Sequence, residues 1–351
     1  MIMMPLTVEN VCAVVFGTAI VLIAGLLWKR ISDRYNRENP PLKWKRVGQV
    51  SGLTIYPLKS GHGMSVRTAQ CDTMGLIDVE NPHLHLQDRK FIVYNSKKNT
   101  AVTGLVDPRM VLMEAHGDVG NTVRLSFPGQ QDFLLYLSSI DTSKIVLLNR
   151  WWGETVAAVD CGNGVACWLS QTLYSNADLR LGYFSRPTVP LRTVSHGWTQ
   201  FAKLYTRLRS EYLGAYSYLA SYLIITKESM DDINSRLDQP VSERCYRANI
   251  IVKGSPAYCE DDWDWLRLGD SVIMRGFKPC TRCAVTAIDP DTGKFNPHFE
   301  PLRTLKRYRQ LKSKEERELS GSEPVFGLYA GLHIPGIVRV GDPVYIGTSA
   351  K

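Results

Sequence analysis

Cys280 and Cys283 stand three residues apart in the stretch Lys278-Pro-Cys-Thr-Arg-Cys283. The chain then continues Ala-Val-Thr-Ala-Ile and turns at Asp289-Pro-Asp-Thr-Gly293. A thiolate in such a place can serve as a soft metal ligand, a redox thiol or a nucleophile. Lys278 and Arg282 flank the pair, and cations favour the thiolate and attract an anionic ligand. A structural zinc site usually takes four ligands, as two Cys-x-x-Cys pairs or a Cys pair with a His pair. Only one such pair is present, and His298 has no second ligand at the spacing a His pair needs. A thioredoxin-type pair opens a helix whose N-terminus lowers the thiol pKa. Here the run after Cys283 is β-type. Two inert packed cysteines are the remaining reading, and the spacing alone leaves it standing.

Positioning these thiols falls to a chain of many short strands. Strand-like runs are expected over 47–56, 66–71, 90–94, 110–114, 123–126 and 133–137, with Gly, Pro, Asn and Asp between them. The apolar spacing of residues 164–174 predicts a helix that closes this first half. In the second half, strands are expected over 218–225, 249–252, 270–274, 283–288, 325–334 and 338–346. A short helix is expected over 229–237, with Ser229 and Asp232 spaced as a capping box. A basic amphipathic helix is expected over 301–311, with Pro301 at its start. The fold class is mixed α+β and predominantly β, with a barrel-like first half and a partly closed β-barrel in the second.

The 351 residues are 44% hydrophobic and 22% charged, which suffices for two domains with their own cores. The net charge of +8 is modest and much of the excess lies near the N-terminus. With no RNP, zinc-finger or helix-turn-helix pattern, no nucleic-acid partner is expected. Eight scattered cysteines in a chain of this length point to reduced thiols. Residues 11–28 form an uncharged apolar run close to the roughly 20 residues that span a bilayer as helix. Glu9 precedes it, and Lys29, Arg30, Arg34, Arg37, Lys43, Lys45 and Arg46 follow against Asp33 and Glu38. That order predicts a single N-terminal anchor with the body of the chain cytosolic. The expected organisation is an anchor and basic linker at 1–46, a first domain at 47–178 and a second at 179–351.

Residues 275–293 resemble the signature of the MOSC family, the molybdenum-cofactor sulfurase C-terminal domain. Tyr56-Pro-Leu-Lys-Ser60 resembles the opening motif of the β-barrel domain that precedes MOSC in one subfamily. Cys71-Asp-Thr-Met-Gly-Leu76, Asp88-Arg89, Asp160-Cys-Gly162, Tyr246-Arg-Ala-Asn-Ile250, Glu260-Asp-Asp-Trp263, Glu300-Pro-Leu-Arg-Thr-Leu305 and Gly341-Asp-Pro-Val344 continue the likeness in collinear order. The resemblance implies a molybdenum–pyranopterin (molybdopterin) cofactor with a terminal phosphate. It assigns the metal thiolate and catalytic residue to Cys283, and gives Cys280 no role. It implies cofactor contacts at Lys59, Ser60, Arg89, Arg247, Asn249 and Arg282. One departure stands out. Where the family has an Asp-Thr-Ser-Pro-type stretch, this chain reads Ser217-Tyr-Leu-Ala-Ser221. An ungapped match puts Leu219 and Ala220 at the hydroxyl positions, and Ser221 takes that role only with a shift.

The activity implied is reduction of N-hydroxylated compounds such as amidoximes and hydroxylamines. The electrons would come from cytochrome b5 and its NADH-dependent reductase. The chain carries no Gly-x-Gly-x-x-Gly fingerprint, haem-attachment motif or iron–sulfur spacing of its own, so an external donor is expected. The alternative is a molybdenum-cofactor binding or sulfur-carrier protein without reductase turnover. The anchor and the resemblance together imply the mitochondrial outer membrane, with the endoplasmic reticulum or peroxisome as alternatives.

Overall fold

The computed structural model describes residues 38–150, 153–173 and 178–347, together with 24–25 and 27–29. The expected anchor at 11–28 therefore lies almost wholly outside the described residues. Among the described residues no helix is long and apolar enough to cross a membrane.

Seven strands close into a ring. In order they are Ile250–Lys253, Tyr222–Thr226, Val325–Ile334, Val272–Thr281, Trp265–Leu268, Pro343–Gly347 and Lys45–Ile55, and the last pairs back onto the first. Met64–Val66 extends the sheet from Lys45–Ile55. Inside lie Val50, Leu53, Ile55, Ile224, Ile250, Leu266, Met274 and Leu328. Every residue of Tyr222–Thr226 is buried. A second apolar cluster containing Trp198, Phe201, Leu213, Ile233 and Phe326 also draws in Leu223 and Ile225, which explains the unbroken apolar run of that strand. Tyr222–Thr226 and Ile250–Lys253 run parallel, and the helix Lys227–Asn234 follows the first of them.

A smaller closed barrel is built from Ile145–Asn149, Thr155–Asp160, Leu179–Tyr183, Phe91–Asn95 and Thr100–Ala101. Its core of Ile92, Leu148, Ala158 and Leu181 is shared with the helix Asn163–Thr172 through Val165 and Leu169. Strand pairing crosses the sequence boundary expected near 178. Lys45–Ile55 closes the ring of the second half, while Leu179–Tyr183 pairs in the barrel of the first.

Several local expectations are corrected. Residues 110–113 are not a strand, and the strand here is Glu114–Asp118. Asp107 caps a 3-10 turn at Pro108–Leu112, and Pro108 at its start presets the helical φ. The strand expected over 218–225 begins only at Tyr222. Before it, the carbonyls of Ser217 and Tyr218 accept from arginine side chains rather than from a ladder. The helix expected at 229–237 is Lys227–Asn234, and its cap is Thr226, whose side chain accepts from Ser229 N. The Ser229 hydroxyl instead donates to buried Glu260 at 2.8 Å. The helix expected over 301–311 is shorter, Leu302–Tyr308. A second helix at Lys314–Ser320, with a Ser313/Glu316 capping box, follows it and was missed.

The largest correction concerns the run after Cys283. Residues 283–288 are not a strand: Ala284–Ala287 is a 3-10 turn with Cys283 as its N-cap. The ladder of Val272–Thr281 with Val325–Ile334 ends at Thr281 opposite Val325. Arg282 N still donates to Pro324 O at 2.8 Å. Pro324 has no N–H to return, so the ladder stops and the chain curls, with Thr286 N donating to Cys283 O at 3.0 Å.

Candidate functional site

Loops at the ends of ring strands, together with the segments 86–91 and 213–221, converge on a cavity of about 430 Å³. Its lining includes Lys59, Ser60, Arg89, Arg247, Asn249, Arg282 and Cys283. The segment 56–61 leaves Lys45–Ile55 and is tied to the barrel by Lys59 N donating to Phe91 O and Arg89 N to Tyr56 O. The Tyr56 ring lies between two guanidiniums, Arg89 at 4.6 Å and Arg247 at 4.3 Å from its centroid. Ser60, Arg89 and Arg247 have φ of 64°, 47° and 55°. Each costs about 1–3 kcal/mol for a residue with a Cβ, and such strain gathers where a site needs a particular aim. Buried Asp88 supports the group, accepting from Tyr56 N and Asn249 Nδ2 at 2.9 Å and pairing with Arg89 at 2.5 Å.

Asn249 lines the cavity but serves as a brace. Its Nδ2 donates to Asp88 and Thr54 O, and its Oδ1 accepts from Leu223 N and Arg89. Arg247 is different. Its Nη1 donates to Gly61 O at 2.8 Å, while its buried Nη2 has no hydrogen-bond partner. Burial, with help from nearby Arg89 and Arg282, pushes Arg247 down to about 10. Burial and then Arg150, Arg89, Arg192 and Arg247 hold Lys59 well below the ordinary lysine value. Its Nζ donates to Tyr216 O at 2.8 Å.

The two thiols part company. Cys283 is exposed, at the cap of its turn. Cys280 is buried on the ring strand, where Arg282 Nη1 donates to its sulfur at 3.1 Å. The same guanidinium donates to Tyr246 O at 2.7 Å and to Thr286 at 3.3 Å. Cys280 is thus an acceptor that fixes Arg282, a role that sequence spacing did not reveal. Among the described residues no three His, Cys, Asp or Glu side chains gather as a metal site.

The opposite wall is the segment 213–221. Arg192 forms a bidentate pair with Glu154 at 2.7 and 3.1 Å. It also donates to the carbonyls of Gly214, Ser217 and Tyr218. Arg150 Nη2 donates to Ser217 O at 2.8 Å. Both arginines are buried, and burial lowers Arg192 and takes Arg150 down to about 9. The structure does not bring Ser221 to the cavity. Its hydroxyl donates to Thr73 O at 2.5 Å and to Tyr212 O at 3.1 Å. Ser217, Tyr218, Tyr246, Thr286 and Tyr329 line the cavity and were not among the expected site residues. Tyr246 and Thr286 lie within family-like motifs, and Ser217 and Tyr218 in the stretch that departs from the family pattern; Tyr329 had no sequence signal.

The described lining carries four cations, Lys59, Arg89, Arg247 and Arg282, against the single carboxylate of Glu323, which pairs with Lys306 at 3.6 Å. Such a set suits an anionic ligand. An exposed thiol on the same cavity suits a soft metal. These residues fit a phosphate-bearing metal–sulfur cofactor.

Residues 47–176 match the MOSC N-terminal beta barrel domain and residues 214–345 match the MOSC domain. Human mitochondrial amidoxime-reducing component 1 is 37% identical over 330 residues, covering 94% of this chain and 91% of that one. The mouse protein of the same name is 36% identical, covering 94% and 90%. Human mitochondrial amidoxime reducing component 2 is 34% identical, covering 94% and 91%. Matched in both domains and along nearly its whole length, the chain belongs to the MOSC family, in the group whose MOSC domain follows an N-terminal beta barrel domain.

Proposed function

We propose that this chain is a molybdenum-cofactor-dependent reductase of N-hydroxylated compounds such as amidoximes and hydroxylamines. The observation that carries the reading is a cavity whose lining holds both four cations and an exposed thiol. The printed names of the relatives, amidoxime-reducing components, supply the substrate class. Bound here, the cofactor would supply the two-electron redox chemistry. Cys283 would hold the metal as thiolate. Lys59, Ser60, Arg89, Arg247 and Arg282 would hold the anionic part and neutralise it. Asp88 and Asn249 keep Arg89 aimed, and Cys280 keeps Arg282 aimed. Tyr246, Leu223 and Tyr329 give the cavity its apolar surface and limit water. Cleaving R–NH–OH to R–NH2 and water consumes two electrons and two protons.

The electrons would come from cytochrome b5, reduced by its NADH-dependent reductase. The run at 11–28 would anchor the chain in the mitochondrial outer membrane with its catalytic part in the cytosol, in keeping with the relatives' names. The test is metal analysis and amidoxime turnover on the purified full chain with that donor system. Molybdenum should be stoichiometric. Cys283→Ala should abolish turnover, and Cys280→Ala should cost much less. Full turnover by the Cys283→Ala chain would sink the assignment, and metal without turnover would leave a cofactor carrier.

A further inference from the structure

We propose that Leu105 is a specificity-determining residue at the mouth of this cavity, favouring N-hydroxylated substrates whose N–OH group is carried on an apolar body over small polar ones. The inference rests on the functional reading above. Burial sorts the cavity lining by depth. Lys59 and Arg282 are 7% exposed and the Arg89 side chain 12%, whereas Leu105 is 51% exposed and Cys283 is exposed with it. The cations form a floor that suits the anionic part of the cofactor. The thiol and Leu105 stand at the opening, so a substrate that approaches Cys283 from solvent arrives beside Leu105.

Leu105 belongs to the same rim as the thiol. Its neighbour Gly104 packs on the turn that Cys283 caps. A Cβ at Gly104 would stand 3.2 Å from Ile288 Cδ1 and 3.9 Å from both methyls of Val285, which also lines the cavity. The rim is fixed by its own hydrogen bonds. The carbonyl of buried Thr103 accepts from Val106 N at 2.8 Å and from Asp107 N at 3.0 Å. Asp107 in turn holds Arg109 bidentately at 3.0 and 2.7 Å. Leu105 N donates to the Thr103 hydroxyl at 3.4 Å, and the side chain has no hydrogen bond to offer. A leucine held half open to water gains when an apolar group covers it and gains nothing from a polar one. Val106, on the same turn, is 69% exposed and is not part of the cavity lining. A substrate entering the cavity therefore meets Leu105, whereas a protein docking on the turn would meet both.

The experiment uses the full-length, molybdenum-loaded chain with its donor system and two amidoximes that differ only in the body, phenyl in benzamidoxime and methyl in acetamidoxime. Wild type should show the lower KM for benzamidoxime. Leu105→Asn keeps the branched shape without the apolar surface. It should raise the benzamidoxime KM about fivefold with kcat unchanged, because contact with the body is the same in ground and transition states. Acetamidoxime should keep its wild-type KM. Leu105→Met should restore the preference, and Val106→Asn should match wild type with both substrates. Equal shifts for the two amidoximes, no shift for either, or no preference in wild type overturns the proposal. An effect as large in Val106→Asn overturns it in favour of a protein-docking patch. If wild type turns over neither amidoxime, the functional reading fails and calorimetric binding of benzamidoxime becomes the readout. Binding that weakens about fivefold from wild type to Leu105→Asn supports the apolar rim. Equal binding by both chains, or by neither, overturns it.

Discussion

Two walls face each other across the cavity and are held in opposite ways. On the thiol arm, 278–286, two of the three links run from side chain to side chain within the arm. Arg282 reaches Cys280, Tyr246 O and Thr286 from one guanidinium. On the wall at 213–221 the links run through backbone carbonyls, gripped by Arg150 and Arg192 from far away in sequence. A side-chain link leaves its residue types in the sequence as a motif. A backbone link is indifferent to the residue gripped, so the wall can depart from a family pattern and still be built.

The sharpest way to break this contrast is Arg192→Met. It strips buried Glu154 of its bidentate partner and removes one donor from each of three carbonyls, and should cost about 3–5 kcal/mol in urea unfolding. A variant as stable as wild type would show that the wall stands without Arg192. On the arm, Arg282→Lys should cost less, about 1.5–3 kcal/mol, because one ammonium cannot reach three diverging acceptors. Equal losses in the two variants would erase the distinction.

The smallest effect is one of slope. Lys278 is buried beside Phe201 and Tyr205, and burial pushes it down to about 8. Its folded value lies below its unfolded one, so between about pH 8 and 10.5 the unfolded chain binds the extra proton and this group makes stability rise with pH. Lys278→Met should flatten that rise relative to wild type, measured by denaturant unfolding at pH 7, 8 and 9. An unchanged slope would mean that the lysine is not desolvated.

The arm's thiols and flanking cations were legible from side-chain type and spacing, and the Lys59-Ser60 and Arg247 motifs only through the family resemblance. The ring strands were legible from apolar runs, with ends off by a few residues. Three things were not. The curl after Cys283 depends on Pro324, just before the neighbouring strand, which cannot return a hydrogen bond. The assignment of Ser221 to the cavity failed because its hydroxyl is engaged by Thr73 O, distant in sequence. The strained backbone of Ser60, Arg89 and Arg247 left no mark, since neither residue type prefers positive φ.

By itself, the sequence determined a β-rich chain of the MOSC family with two thiols and several cations in its motifs. Those follow from local composition and motif. Only the tertiary structure decided that the Ser221 hydroxyl is engaged by Thr73 O, that Cys280 steadies Arg282, and that Lys45–Ile55 closes a ring with strands some 200 residues later. The reason is physical. Partners in a closed sheet and in a buried ion network are chosen by where the backbone returns, and neighbouring residues along the chain carry no record of that.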